Sequence, residues 1–247
     1  MSRPRRFRQH LPFTPRPEQH FRWRGHEVSR LEGFADAVFA FAVTLLVVAL
    51  EVPRTFEGLV EVIRGFPAFI VCFTLLMLFW NGHYRFFRRY GMEDRFTRTV
   101  SLALLLLVLF SVYPLKFLFS SLLDFGGRAA KFETLDQLHF VHRIYGFGLA
   151  SMWAMLALLH WHALRKRDAL QLNAAELIQT RGGLWGYVIY IIVCTASIVL
   201  THVTSLLGLP GWIYVALGPL LALNGWWHGR QVRALAAPPP RWPDAAH

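Results

Sequence analysis

Long apolar stretches alternate with short charged segments along this 247-residue chain. Several of the apolar stretches approach the ~20 residues that an α-helix needs to cross a hydrocarbon layer about 30 Å thick. A soluble protein would instead spread its charges along amphipathic helices. The pattern predicts an all-α membrane protein with six transmembrane helices, over residues 31–52, 60–84, 99–122, 138–164, 184–206 and 211–227.

Arginine and lysine are distributed unevenly among the segments that flank these predicted helices. They are concentrated in the N-terminal segment, in the second and fourth connections and after the sixth helix, whereas the first connection carries Arg54 alone and the fifth carries none. Basic residues are retained on the cytoplasmic side of a membrane. Both termini are therefore predicted to be cytoplasmic, in a multi-pass protein of the cell (inner) membrane.

The same distribution divides the chain into three predicted regions and indicates which partner the protein has. Residues 1–30 form a basic cytoplasmic segment, residues 31–228 the transmembrane domain, and residues 229–247, with their run of prolines, a disordered cytoplasmic tail. The net charge of +11 is compatible with nucleic-acid binding, but the basic residues flank apolar spans and do not form one stripe. The lipid bilayer is the expected partner, and no nucleic acid is expected.

The first predicted helix contains a carboxylate, Asp36, inside the hydrocarbon region. Such a group costs roughly 3 kcal/mol to insert, so it should find a partner. The first helix begins, and the second ends, on the same side of the membrane, which puts Asp36 at the depth of Trp80 and His83. These two share a helix face and supply N–H donors. We interpret the set as a clamp between helices; the alternatives are direct transport by Asp36 and interfacial positions for Trp80 and His83.

Three segments of the N-terminal half resemble a known family. They are RLEGFADAVFAFAVTLLVVALEVP from Arg30, FWNGHYRFF from Phe79, and LLLLVLFSVYP ending at Pro114. The first resembles the Arg-x-x-x-Phe-Ser-Asp motif and following helix of prokaryotic relatives of the endosomal and lysosomal potassium channel, transmembrane protein 175. The second resembles that family's Trp-x-x-His segment. The C-terminal half matches only in hydropathy and in the number of spans.

The resemblance implies a potassium-permeable homotetrameric channel, with helix 1 of each subunit lining the pore and no cofactor. Potassium and other permeating cations would be the transported partners. The family's motif residues fall on positions that would hold the pore helix to its neighbours, namely Arg30, Phe34, Asp36, Trp80 and His83. In two places the chain departs from the family: Ala35 replaces its serine, and Phe41 stands where the pore constriction usually has isoleucine.

One apolar stripe runs the length of the first helix. Its members are spaced four, three, four and three residues apart and are Phe34, Val38, Phe41, Leu45 and Val48. On periodicity alone the stripe predicts ordinary helix packing. With the resemblance, we predict that Phe41, Leu45, Val48, Thr44 and Val38 form the pore constriction and lining, where apolar rings gate ions by dewetting. The Thr44 hydroxyl would either face the pore or bond its own backbone.

Passive cation conduction is therefore the predicted function, with two alternatives. A proton-coupled secondary transporter would use Asp36 and His83, but the chain has no paired repeat with helices broken by Gly or Pro. A membrane enzyme would need a cluster of acid, base or metal-binding groups. The histidine spacings fit no metal site with carboxylates or thiols, so no metal is expected; these histidines are His139, His142, His160 and His162.

Overall fold

The computed structural model describes residues 21–48, 52–122, 134–203 and 209–236. Within these ranges the chain is helical, with no strand. The helices are α1 (Arg30–Val48), α2 (Phe56–Arg64), α3 (Phe66–Tyr90), α4 (Arg95–Leu122), α5 (Leu135–Arg165), α6 (Ala174–Val203), α7 (Leu209–Trp212) and α8 (Leu217–Ala236), with a 3-10 turn, Ile213–Ala216, before α8. Five of them (α1, α3, α4, α5 and α6) are long and apolar enough to cross a membrane. The predicted all-α membrane architecture is confirmed at this level.

Each long helix packs against its neighbours in one continuous bundle. Helix α1 contacts α3 and α4, α5 contacts α3, α4 and α6, and α8 packs along α6. The centre of the bundle is filled by fully buried side chains such as Leu104 and Leu156. The ring centroid of Trp153 lies 4.3 Å from that of Phe79 and 4.0 Å from that of Tyr190. Helix α1 thus lies at the edge of the bundle, and the described helices cover it on one side only.

The second predicted span is wrong at its start. Residues 56–64 form the separate helix α2, whose N-cap Thr55 accepts a hydrogen bond from the Gly58 amide, and no side chain of α2 is buried. Helix α3 then begins after Gly65 with Pro67 in its first turn, where the missing amide hydrogen of proline does no harm. Helix α3 ends at Gly91, whose φ of 57° suits glycine. The second span is therefore Phe66–Tyr90 rather than 60–84.

The sixth predicted span is not one continuous helix. Ser197 donates a hydrogen bond to the Pro210 carbonyl at 2.7 Å, and Asn224 donates one to the Gly182 carbonyl at 2.9 Å. Helices α7 and α8 therefore run antiparallel along α6. Pro219 has no amide hydrogen for the carbonyl four residues earlier, which fits the 3-10 turn ahead of it. Among the described residues, five helices, and not six, are long and apolar enough to span a membrane.

Both predicted terminal regions have structure in the parts that are described. Helix α8 continues to Ala236, so the predicted disordered tail of residues 229–247 was placed too early. Phe21 is buried against Tyr90, with ring centroids 5.6 Å apart, and the backbone amide of Arg24 donates to the Arg88 carbonyl at 3.1 Å. Residues 21–29 are therefore part of the bundle, while residues 1–20 and 237–247 lie outside the described residues.

Candidate functional site

Helix α1 has one face that is closely packed. The buried residues on this face recur at helical spacing and are Glu32, Ala35, Phe39, Ala42 and Leu46. Ala35 and Ala42 are fully inaccessible to solvent, and their small side chains let α1 approach α3 and α4 closely. This face differs from the apolar stripe identified in the sequence. It packs α1 against the rest of the chain.

Much of the predicted stripe lies away from the bundle. Phe34 is 53% exposed, Phe41 55% and Val48 67%, whereas Val38 and Leu45 are half-buried. The stripe is thus not the face by which α1 packs against the rest of the chain. Large apolar side chains in a row with no cover in the described chain are typical of a surface that meets lipid or another protein.

The predicted link between Asp36 and Trp80 is present. The indole Nε1 of Trp80 donates a hydrogen bond to Asp36 Oδ1 at 2.8 Å, which joins α3 to α1. The Trp80 ring is held in turn by stacking on Tyr84, with centroids 5.4 Å apart. The carboxylate of Asp36 is otherwise exposed.

The prediction that His83 also bonds Asp36 is wrong. His83 is 1% exposed, and its Nε2 lies 3.2 Å from Ser101 Oγ on α4. Its ring also contacts Phe39 of α1, with centroids 6.4 Å apart. His83 therefore ties α3 to α4 by a hydrogen bond and touches α1 by packing, because the α3 face that carries it turns into the bundle.

Arg30, Phe34 and Thr44 form no hydrogen bond or ion pair that joins α1 to another helix of the described chain. Arg30 is exposed at the start of α1, and its side chain forms no hydrogen bond or ion pair within the described ranges. Phe34 is exposed as noted above, so the bundle does not use it as an anchor. The Thr44 hydroxyl donates to the Ala40 carbonyl at 3.0 Å, which is the backbone alternative considered from the sequence.

Several ionic contacts near the start of α1 were missed in the sequence. Glu32, 3% exposed, lies 3.4 Å from Arg88 Nη2 of α3. Arg24 makes a bidentate pair with Glu176 of α6, at 2.7 and 3.1 Å. The sequence contained a signal for part of the second pair. Asn173 and Glu176, three apart at a helix start, form a capping box, in which each side chain accepts a hydrogen bond from the other residue's backbone amide. That box fixes the carboxylate to which Arg24 binds.

A further charged cluster links the start of α4 to the end of α5. Asp94 accepts hydrogen bonds from the Thr97 amide at 2.8 Å, from His162 at 2.7 Å and from Lys166. Partial burial raises the pKa of Asp94, but the hydrogen bonds from Lys166, His162 and Thr97 outweigh it and hold this pKa well below its usual range. Asp94 is thus ionised at neutral pH and caps α4.

Replacing Asp94 with asparagine should lower the free energy of unfolding at pH 7 by roughly 1 kcal/mol, because asparagine keeps the cap but loses the ion pairs. A depressed pKa stabilises the folded state above the unfolded value of about 3.9, and this contribution is lost as the pH falls below it. Unfolding of both proteins should be measured from pH 7 to pH 3. A difference that grows between about pH 4 and pH 3 would contradict this assignment.

The histidines considered for metal binding are engaged separately. His142 and His160 each bond the carbonyl four residues earlier, at 2.9 and 3.0 Å, and His162 bonds Asp94. Among the described residues, no group of three or more His, Cys, Asp or Glu side chains could hold a metal ion. The chemistry of the site therefore rests on the α1 face and its links to α3 and α4.

The comparisons with known proteins bear on this same region. A family model, that of the endosomal/lysosomal potassium channel TMEM175, matches residues 30–114, which run from the start of α1 into α4. A protein of Marivirga tractuosa named potassium channel is 32% identical over 222 residues, covering 83% of this chain and 89% of the relative. This chain belongs to the TMEM175 family. It is a multi-pass membrane protein, and the apolar stripe and the Asp36–Trp80 link lie in the segment that the family model matches.

Two solved structures are similar in fold. A crystal structure of a variant of the potassium channel MtTMEM175, in complex with a nanobody–MBP fusion protein, superposes with a TM-score of 0.75 at 29% identity, covering 87% of this chain and 99% of that one. A TMEM175 homologue from Chamaesiphon minutus superposes with a TM-score of 0.50 at 22% identity, over 82% and 96% of the two chains. The family fold therefore extends beyond residue 114 into the C-terminal helices.

Proposed function

We propose that this chain is a subunit of a potassium-permeable channel, a homotetramer in which the uncovered face of α1 from each subunit lines the pore. The observation that carries the proposal is the exposure of Phe41 and Val48 on a helix whose opposite face is fully packed. Membership of the TMEM175 family and the potassium-channel names of its relatives support the choice of ion.

The proposed pore closes by exclusion of water. In a tetramer the side chains of the α1 stripe stack as apolar rings around the axis. Phe41 lies deep in the membrane, with Val38 on one side of it along the axis and Leu45 and Val48 on the other. An apolar ring too narrow for water leaves a cation stripped of its hydration shell with no oxygen ligand in exchange. The Thr44 hydroxyl donates its hydrogen to the Ala40 carbonyl, which leaves its oxygen as an acceptor one turn along α1 from Phe41.

The residues around the pore helix have a holding role in this proposal. Asp36 and Trp80 join α1 to α3, and His83 supports α1 through Phe39. Arg30 and Phe34, which are exposed in one subunit, and the second oxygen of Asp36 then meet a neighbouring subunit. A carboxylate that is buried between subunits and accepts several hydrogen bonds avoids most of the free-energy cost of placing a charge in the membrane, whereas a carboxylate that faces lipid does not.

In this proposal the α7–α8 segment supplies a sixth crossing, and both termini face the cytoplasm in the cell membrane. Helix α8 has 20 residues, about 30 Å of rise, and lies antiparallel to α6. Single cysteines added at residue 2 and at residue 246 should react with a membrane-impermeant maleimide only after the inner face is opened. The native Cys72 and Cys194 are buried and serve as the unlabelled background. Labelling of either tag from outside contradicts the topology.

The function is tested by ion flux into liposomes that contain the purified protein, with potassium, sodium and proton gradients imposed separately and protein-free liposomes as the control. Fast, uncoupled potassium flux is expected. Strictly coupled exchange of protons for another solute would instead support a carrier that uses Asp36 and His83. That alternative gains no support from the separate hydrogen bonds of these residues, to Trp80 and Ser101 respectively.

Replacing Asp36 with alanine, or Trp80 with phenylalanine, should lower the assembled fraction while changing the preference between potassium and sodium little. Each substitution removes one partner of the α1–α3 hydrogen bond, a loss of roughly 1 kcal/mol per subunit. Size-exclusion chromatography in detergent measures assembly, and Trp185→Phe, at an exposed tryptophan of α6, is the matched control. If the Asp36 variant stays assembled and loses only selectivity, Asp36 is an ion ligand.

A further inference from the structure

Two exposed arginines each lie over the ring of an exposed tryptophan one helical turn earlier in the chain. The Cζ atom of Arg165, the last residue of α5, lies 4.8 Å from the ring centroid of Trp161. In α8, the Cζ atom of Arg230 lies 5.6 Å from the ring centroid of Trp226. A guanidinium within about 6 Å of an indole centroid is attracted by the negative face of the ring. The same arginine–tryptophan pair thus occurs on two different helices.

The two arginine–tryptophan pairs lie at one level of the bundle. A β-carbon at Gly183 of α6 would lie 3.3 Å from His160 Cδ2 of α5. One at the preceding residue, Gly182, would lie 2.9 Å from His228 Cγ of α8. Helices α5 and α8 therefore approach α6 at adjacent residues. The two tryptophans are one and two residues away from these histidines, so at about 1.5 Å of rise per residue both lie within about 3 Å of that level.

Both pairs also point toward the same end of the bundle. Helix α5 ends where the connection to α6 begins, and α8 runs antiparallel to α6, so α5 and α8 run in the same direction. Each arginine follows its tryptophan by four residues, which places it about 6 Å nearer to that end. Tryptophan rings favour the boundary between hydrocarbon and headgroups, and arginine extends from there toward the headgroups.

The guanidinium groups of both pairs are accessible from outside the bundle. The substantial contacts of α8 are with α6 and with the 3-10 turn before it, so α8 lies at the periphery. Within the part of the chain that the structure describes, neither Arg165 nor Arg230 forms an ion pair or a side-chain hydrogen bond. An indole ring has no hydrogen-bond acceptor, so contact with it leaves the N–H donors of each guanidinium unused.

We propose that the two arginine–tryptophan pairs bind the phosphate groups of anionic phospholipids in the leaflet at this end of the bundle. The planar donor fork of arginine matches phosphate oxygens two at a time. A ring that already holds the guanidinium lowers the side-chain entropy lost when the phosphate binds. Two separate pairs at one level match a leaflet, whose phosphates lie at a single depth. A zwitterionic headgroup adds an ammonium that offsets its phosphate, so the preference is for anionic lipid.

Thermal unfolding of the full chain in an uncharged detergent tests the proposal, with phosphatidylglycerol or phosphatidylcholine titrated in about 0.15 M salt, which screens long-range charge. A lipid that binds the folded state raises the unfolding temperature with its concentration, which gives an apparent Kd. Each variant is compared with its own lipid-free value. The double variant Arg165→Gln with Arg230→Gln removes the charges. The double variant Trp161→Leu with Trp226→Leu removes the rings and keeps the charges.

The matched control is Arg95→Gln with Arg98→Gln. Both arginines are exposed in the first turn of α4, and neither lies over a ring of the described chain. Asp94, the residue before α4, bonds His162 near the end of α5 at 2.7 Å. The control therefore removes the same number of charges at the same end of the bundle.

We expect the double arginine variant to weaken the apparent affinity for phosphatidylglycerol about 25-fold, at about fivefold for each arginine lost. The double tryptophan variant should weaken it about tenfold, at about threefold for each ring lost. The control should weaken it at most about fivefold, and no variant should change the response to phosphatidylcholine. Equal losses in the two arginine variants, full affinity in the tryptophan variant, or an unmodified protein that does not prefer phosphatidylglycerol would each overturn the proposal.

Discussion

Replacing Glu176 with glutamine should lower the free energy of unfolding by about 3 kcal/mol, the lower end of what breaking a buried ion pair costs. Glu176 is 1% exposed and accepts hydrogen bonds from the Arg22 amide, the Asn173 amide and the Arg24 guanidinium. Glutamine retains one acceptor oxygen but loses the charge, so Arg24 is left as an unpaired cation in a nearly buried position.

The size of the effect depends on what else stabilises Arg24. Its guanidinium also donates to the carbonyls of Leu170 at 2.9 Å and Gln171 at 3.3 Å. These carbonyls satisfy part of its hydrogen-bonding capacity without neutralising its charge, which is why we place the loss at the lower end. The same pair joins residues 21–29 to α6, so the N-terminal segment should also become sensitive to proteolysis.

Unfolding of the purified protein in mixed detergent micelles gives the free energy, with limited trypsin digestion as the second measurement. Asp168→Asn is the matched control, because Asp168 is 93% exposed and lies 3.6 Å from its neighbour Arg167 in an exposed pair. We expect a change within about 0.5 kcal/mol for that control. Equal effects of the two substitutions would show that the Arg24–Glu176 pair does not hold the N-terminal segment to the bundle.

Replacing Phe41 with alanine should raise potassium conductance by about tenfold or more and weaken the discrimination against sodium; Phe41→Ile should raise conductance less. Phe41 is 55% exposed, on the face of α1 that the bundle leaves uncovered. A phenyl ring reaches further from the backbone than isoleucine or alanine. In the proposed tetramer, the smaller side chains therefore widen the apolar ring and lower the dehydration barrier. Lowering this barrier by about 1.4 kcal/mol raises the rate of ion passage tenfold.

Single-channel recording in planar bilayers measures the effect directly. Phe147→Ala is the matched control, since Phe147 is 70% exposed on α5, a helix that does not carry the stripe. It should leave the conductance unchanged. Unchanged or lower conductance in Phe41→Ala would place the constriction elsewhere, at Leu45 first. That outcome would also result if the Phe41 rings rotated away from the pore axis and made cation–π contacts with the permeating ion.

The amino-acid sequence by itself determined the membrane class, the approximate position of the long helices and the Asp36–Trp80 link. The first two follow from local composition, because an apolar run of sufficient length can satisfy its backbone in a bilayer only as a helix. The link followed from membrane depth together with the N–H donor of the Trp80 indole. Two residues on adjacent antiparallel helices at the same distance from the membrane surface have few other partners, and the Trp80 indole lies 2.8 Å from the carboxylate.

The tertiary structure alone decided how each helix face is used. The periodicity of α1 gives two apolar faces, and only the packing against α3 and α4 shows that Phe39 is enclosed while Phe41 is left uncovered. For the same reason His83 bonds Ser101 instead of Asp36, since a rotation of α3 that no local pattern encodes turns it into the bundle. The broken α7–α8 segment and the Arg24–Glu176 pair likewise depend on contacts between distant residues, which hydropathy and charge counts along the chain do not contain.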